Sequence, residues 1–170
     1  LTEISIAASV DGDALEISMS ELPRVCLIGA GSSGITVAKA LKDRRIPFDC
    51  FERSDQVGGN WCFRNKNGMS AAYESLHINT DSRLMEYRDF PMPEGTPDFP
   101  SHRVIMDYFN AYVDHFGLRE RITFDTTVEH ARRRDDGLWD VQLDSGETRE
   151  YDALIAANGH HWDPRWPDPA

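Results

Sequence analysis

A chain of 170 residues, 40% hydrophobic and 28% charged, has the length and composition of one globular domain with a substantial core. Its formal charge of −11 argues against nucleic acid and other polyanionic partners, which select basic surfaces, but leaves room for a single nucleotide held by backbone N–H groups. The three scattered cysteines, Cys26, Cys50 and Cys62, form no Cys-x-x-Cys pair and argue against a disulfide framework or a zinc site.

The first segment, LTEISIAASVDGDALEIS, carries several acids and no basic start, so it does not read as a secretory signal. Whether it forms an extra strand, a helix or a loose tail stays open. The expected division is an N-terminal tail or extra element over 1–18 and a domain over 19–170. No apolar run approaches the length of a membrane span, and a cytoplasmic location is expected.

RVCLIGAG, from Arg24 to Gly31, reads as a buried strand ending in glycines. SSGITVAKALKDRR follows as a helix: Ile35, Ala38 and Leu41 recur at three-residue steps, and basic residues gather at its end. IPFDCFE, begun by Pro47, is a second strand, parallel to the first across a strand–helix–strand unit of about thirty residues. Cys26 and Cys50 lie in these runs as small buried hydrophobes.

Residues 54–100 are irregular, rich in Gly, Asn, Ser and Pro, and carry several aromatics; so long an irregular stretch is expected to be functional. Its proline-rich part, DFPMPEGTPDFP, should be extended and rigid. SHRVIMDYFNAYVDHFG returns to the helical period, with Ile105, Phe109, Tyr112 and Phe116 on a core-facing stripe, Ser101 as N-cap and Gly117 as the stop. ITFDTTVEHARRR, LWDVQL and ETREYDALIAA, joined by DDG and DSG turns, predict an antiparallel meander, and YDALIAANG a strand returning to the buried sheet.

Two motifs carry chemistry. GAGSSG places Gly29, Gly31 and Gly34 between a strand and a helix: the first for a tight turn, the second for approach of a pyrophosphate, the third for helix packing. Glu52 ends the second strand, where an acid accepts hydrogen bonds from ribose hydroxyls and repels a 2′-phosphate, so the site fits FAD or NAD rather than NADP. Six and seven residues beyond Glu52, in FERSDQVGGNW, a second glycine pair lets another loop approach the longer FAD, and Trp61 is placed to wall the cavity.

VCLIGAGSSGITVAKAL, FERSDQVGGNW, NTDSRLMEYRDFPMP and YDALIAANGHH, in that order and with similar gaps, resemble the N-terminal part of the flavin-containing monooxygenases, the class B flavoprotein monooxygenases related to the Baeyer–Villiger and N-hydroxylating enzymes. The resemblance runs from Arg24 to the C-terminus. It implies an α/β fold, a Rossmann-like FAD/NAD(P)-binding three-layer fold with a parallel sheet, helices and an antiparallel β-meander.

The same resemblance places the ADP part of FAD on Gly29, Gly31, Ser32, Ser33, Gly34 and Glu52, with Arg53 beside the acid. It lays Gly59, Asn60 and Trp61 along the FAD, brings Val128 to the adenine by its main chain, and closes Ala157, Asn158 and Gly159 over the ADP. The family often has threonine where this chain has Asn158, so no side-chain role is carried over there. Asn79 matches an asparagine near the reacting flavin and is the candidate catalytic residue. His160 and His161 belong to a loop rather than to a metal site, and no metal is expected.

In the family, NADPH reduces FAD, and a C4a-hydroperoxyflavin formed with O2 gives one oxygen atom to a soft N, S or carbonyl substrate. One glycine-rich dinucleotide turn is present here, and the family's NADPH turn is expected beyond residue 170. A partial chain with little activity of its own follows from that reading. Two alternatives remain: the FAD half of another flavoprotein oxidoreductase, such as a disulfide reductase or amine oxidase, and a non-catalytic FAD/NAD-binding module. Cys62 stands alone, without the second cysteine a reductase needs.

Overall fold

Two short apolar runs, VCLI and FDCF, set the architecture because both of their faces are buried. The computed structural model describes residues 6–10, 13–17, 22–161 and 165–168. In it β3 (Val25–Ile28) and β4 (Phe48–Phe51) pair in parallel, Val25 opposite Phe48 and Ile28 opposite Phe51. α1 (Ser32–Asp43) makes the crossover. β5 (Ile122–Thr123) adds beside β4 and β9 (Ala153–Ala156) beside β3, both parallel, giving the order β5-β4-β3-β9.

The pleat sends alternate residues to opposite layers. Val25, Leu27, Phe48, Cys50 and Ile122 join a core with Ile35, Ala38 and Leu41 of α1 and with Ile105, Tyr108, Phe109, Tyr112 and Val113 of α3 (His102–His115). Cys26 and Phe51 point the other way, to Val141, Leu143 and Tyr151. Those three belong to a meander of β6 (Val128–Arg133), β7 (Trp139–Leu143) and β8 (Thr148–Tyr151), antiparallel in the order β6-β7-β8. Helices, parallel sheet and meander are the three layers of the expected Rossmann-like fold. Across the second interface the Tyr151 hydroxyl donates to Asp49 at 2.7 Å, and Arg24 pairs with the same carboxylate at 2.7 Å.

ITFDTTVEHARRR, which reads as one strand, is divided between two sheets, and ETREYDALIAA passes from the meander to the parallel sheet, as the returning strand YDALIAANG predicts. ITFDTTVEHARRR supplies β5 to the parallel sheet and β6 to the meander, with Asp125 at φ +48° in the turn between them. The backbone of Glu52 forces the break, its N–H donating to Thr123 O and its C=O accepting from Thr126 N. ETREYDALIAA is likewise cut at Asp152, whose carboxylate accepts the Arg24 N–H at 2.7 Å.

The excursion over 54–100 is irregular apart from a 3-10 turn at Gly59–Trp61 and the short helix α2 (Ser82–Met85). Its proline-rich end runs along α3, where the Phe90 ring meets those of Tyr108, Tyr112 and Phe116. Ser101 occupies the N-cap position of α3, but its side chain makes no cap bond. The excursion ties that end down instead, through Ile78 N to Pro100 O and His102 N to Leu76 O. Gly117 follows the C-cap at φ +56°, as the stop signal predicts.

Before this body, β1 (Ile6–Val10) and β2 (Asp13–Ile17) form an antiparallel hairpin, Val10 opposite Asp13. The overlooked signal is the Asp11–Gly12 dipeptide between two strand-length runs. The expected boundary between residues 18 and 19 lies outside the described residues. Among the described residues no helix is long and apolar enough to cross a membrane.

Candidate functional site

The first glycine turn is shaped by contacts that admit no side chain. Gly29 has φ +97°, and a Cβ there would lie 2.6 Å from the Ala157 carbonyl oxygen. A Cβ on Gly34 would lie 1.9 Å from the Gly29 oxygen, so α1 can start against the strand end only with glycine there. Gly31 is the N-cap of α1 and supplies no side-chain cap. The first-turn N–H groups of α1 and the positive end of its dipole therefore face outward, an anion cradle made of backbone. Ser32 and Ser33 lie in that first turn, and the Ser32 carbonyl accepts the Tyr87 hydroxyl at 2.9 Å.

Glu52 is 6% exposed. Its Oε2 accepts the Ala30 N–H at 2.7 Å and its Oε1 the Ser54 N–H at 2.8 Å. These bonds fix the carboxylate beside the turn. Each oxygen keeps a further lone pair, enough to receive two hydroxyls of a ribose. Arg53 is exposed, with its guanidinium 2.6 Å from the Met69 sulfur, so its side chain turns from the acid toward the excursion.

The second glycine pair brings its loop back to the first turn. Gly58 has φ +106° and donates to Ala30 O at 3.0 Å, and a Cβ there would strike the Met106 sulfur of α3 at 2.3 Å. Gly59 has φ +54°, and its Cβ would stand 3.2 Å from the Cα of Gly31. The two glycine loops thus meet backbone to backbone, with no side chain on Gly31 or Gly59 to hold them apart. Bare main chain at a helix N-terminus beside the Glu52 carboxylate fits the chemistry of a dinucleotide such as FAD. Asn60 is exposed and pins the loop, its Oδ1 accepting from Ala71 N and its carbonyl from Ser70 Oγ, both at 2.7 Å. Trp61 is half-buried against the main core.

The remaining candidates lie on other elements. Ala157 touches Gly29 and donates to Ile28 O at 2.8 Å, and exposed Asn158 and Gly159 follow it, the latter at φ +73°. Val128 opens β6 two residues beyond Thr126, whose N–H bonds the Glu52 carbonyl. Asn79 is exposed beside buried Ile78, and the bond from Ile78 anchors it to the start of α3 rather than to the glycine turns. The His160 and His161 rings lie 3.8 Å apart, and among the described residues no group of three or more His, Cys, Asp or Glu side chains can hold a metal.

Sequence reasoning missed Gly58 as a packing residue, Tyr87, and the buried pair Ser54 and Asn65. Ser54 Oγ donates to Asn65 Oδ1 at 2.7 Å, and Asn65 Nδ2 to Gly59 O at 3.4 Å. The sequence signal for Tyr87 was weak, an aromatic in an irregular segment; for Ser54 and Asn65 there was none. Cys50 lies under the turn, and burial, aided by the charge of Glu52, pushes its thiol up to about 12. Cys62 is buried as well.

The sequence profile described as flavin-binding monooxygenase-like matches residues 23–170. Flavin-containing monooxygenase 5 of Rattus norvegicus is 33% identical over 153 residues, 85% of this chain and 29% of that protein. The N-oxide-forming dimethylaniline monooxygenase 4 of Homo sapiens is 37% identical over 153 residues, 85% of this chain and 27% of that protein. The chain spans less than a third of the length of these curated relatives. Among solved structures, the S-allyl-L-cysteine S-oxygenase of Allium sativum superposes with TM-score 0.77 at 26% identity, over 86% of this chain and 38% of that one. A complex of OTEMO with FAD and NADP gives 0.74 at 28% identity, over 86% and 27%.

Proposed function

Because the chain belongs to the flavin-binding monooxygenase-like family, we propose that residues 19–170 are the FAD-holding domain of an NADPH-dependent monooxygenase. The observation that carries this reading is the meeting of two glycine loops, Gly59 against Gly31, beside the buried carboxylate of Glu52. A dinucleotide with a short second arm needs the first loop alone; the second approach suits the longer FAD.

The residues divide the work of binding. The α1 N-terminus and Gly31 receive the pyrophosphate, with Ser32 and Ser33 in the same turn. Glu52 receives the adenosine ribose, with Arg53 next to it. Val128 meets the adenine through its main chain, and Ala157, Asn158 and Gly159 close over the ADP part. Gly59, Asn60 and Trp61 lie along the flavin side, where the half-buried indole excludes water. Asn79 offers an amide donor at the reacting end.

Bound FAD supplies electron transfer from NADPH and reaction with O2; the overall change consumes NADPH, a proton and O2 and yields NADP+, water and the oxygenated substrate. The expected substrate is a small molecule with a soft nitrogen, sulfur or carbonyl. Support comes from a relative named for N-oxide formation and neighbours named as an S-oxygenase and a cyclohexanone monooxygenase. Taken alone, these 170 residues hold one glycine-rich dinucleotide turn and should show little NADPH-driven O2 uptake.

Titrating the chain with FAD while following flavin fluorescence and absorbance tests the reading. Saturable binding of one FAD per chain, undisturbed by excess NADP+, is expected. Preference for NAD+ over FAD, or no flavin binding at all, would reject it.

A further inference from the structure

The two glycine loops are joined by a closed circuit of hydrogen bonds that neither motif contains. Ala30 N donates to Glu52 Oε2 at 2.7 Å, and Ser54 N to Glu52 Oε1 at 2.8 Å. Ser54 Oγ then donates to Asn65 Oδ1 at 2.7 Å, and Asn65 Nδ2 reaches Gly59 O at 3.4 Å. Gly58 N closes the ring on Ala30 O at 3.0 Å. Ser54 is 1% and Asn65 6% exposed, so water does not compete for these bonds.

The orientation of the Asn65 amide is fixed independently. Its Oδ1 also accepts the Asn67 backbone N–H at 3.2 Å, a group that can only donate, which leaves Nδ2 for the Gly59 carbonyl. An amide carrying a donor and an acceptor on one rigid plane is what the gap between Ser54 Oγ and Gly59 O requires.

We propose that Ser54 and Asn65 are positioning residues that hold the Gly59 loop in register with Glu52, so that both halves of the dinucleotide cleft are formed before the ligand arrives. The inference rests on the FAD reading above. Neither side chain has to touch FAD. Both act through groups that do, the Glu52 carboxylate and the Gly59 main chain. Without the link, the loop must be ordered at the cost of binding.

A double-mutant cycle on FAD affinity tests this in the full chain, with the thermal midpoint of the FAD-free protein measured separately. Asn65→Ala should raise the Kd for FAD about tenfold, the loss of roughly one buried hydrogen bond. Ser54→Ala breaks the same link, so the double variant should bind no worse than the weaker single one. A side chain that only supports the fold would lower the thermal midpoint and leave the Kd alone. If Asn65→Ala does not fold, Ser54→Ala, which deletes a single oxygen, carries the same expectation. Unchanged Kd in the folded variants, or losses that add, overturns the proposal and leaves the FAD reading standing. A wild-type chain that does not bind FAD overturns both.

Discussion

Glu52 sits where β4 ends and two loops begin, and its burial decides what its carboxylate can do. An exposed acid at a strand end samples many rotamers. This one is held by the Ala30 and Ser54 N–H groups, so its remaining lone pairs point in fixed directions. Glu52→Ala removes both anchor and acceptor. A hydrogen bond to a charged group contributes on the order of 1.5–3 kcal/mol, so the Kd for FAD should rise roughly tenfold to a hundredfold. Fluorescence titration reads this directly, and an unchanged Kd removes Glu52 from the site. Spacing alone marked Gly29, Gly31, Gly34 and Glu52 as candidates, and the family resemblance added Gly59. Ser54 and Asn65 were not, because a single polar residue in an irregular stretch carries no periodic sign of being buried.

The element that joins the site to the core is α3. Its stripe of Ile105, Phe109 and Tyr112 was legible from the helical period, and all three are buried. Its second task was not legible: Met106 and Phe109 lie against Gly58, so the helix also forms the floor of the second glycine loop. Phe109→Ala should cost about 3–5 kcal/mol through the cavity it leaves. Urea denaturation of the FAD-free chain should show the lowered midpoint; a midpoint within error of wild type would show that α3 closes over the gap. The strand runs teach a related lesson. Alternation marked ITFDTTVEHARRR and ETREYDALIAA as extended, but the points where each changes sheet depend on bonds to Glu52 and Arg24, residues far away in the chain.

Across the whole molecule, the parallel sheet is sealed on both faces, and its thiols record this. Cys26 faces the meander and Cys50 the helices, and burial pushes each up to about 12. An unfolded thiol titrates near 8.5. The folded values are raised, so the stabilisation is fully present below the unfolded value and is lost as pH climbs through about 12. Tyr112, also raised to about 12 by burial, acts in the same direction. Unfolding stability should therefore fall as pH rises from about 9, and Cys26→Ala combined with Cys50→Ala should flatten part of that fall. Denaturation curves at a series of alkaline pH values check this; a stability that rises over the same range would contradict the sealed-sheet arrangement.

The sequence by itself determined the layer scheme and the family, and it named the candidate site residues by motif spacing and by resemblance, because glycine at a tight turn, an acid at a strand end and apolar periodicity are local requirements. Tertiary structure decided that ITFDTTVEHARRR divides between two sheets, what lies under Gly58, and how the acid is joined to the second glycine loop. Those features depend on partners distant along the chain. Gly59 and Gly31 are separated by a helix and a strand, yet their backbones meet within van der Waals distance. Only the packing of α1, α3 and the sheet around one core brings them there, beside the buried amide of Asn65 that bonds the Gly59 carbonyl.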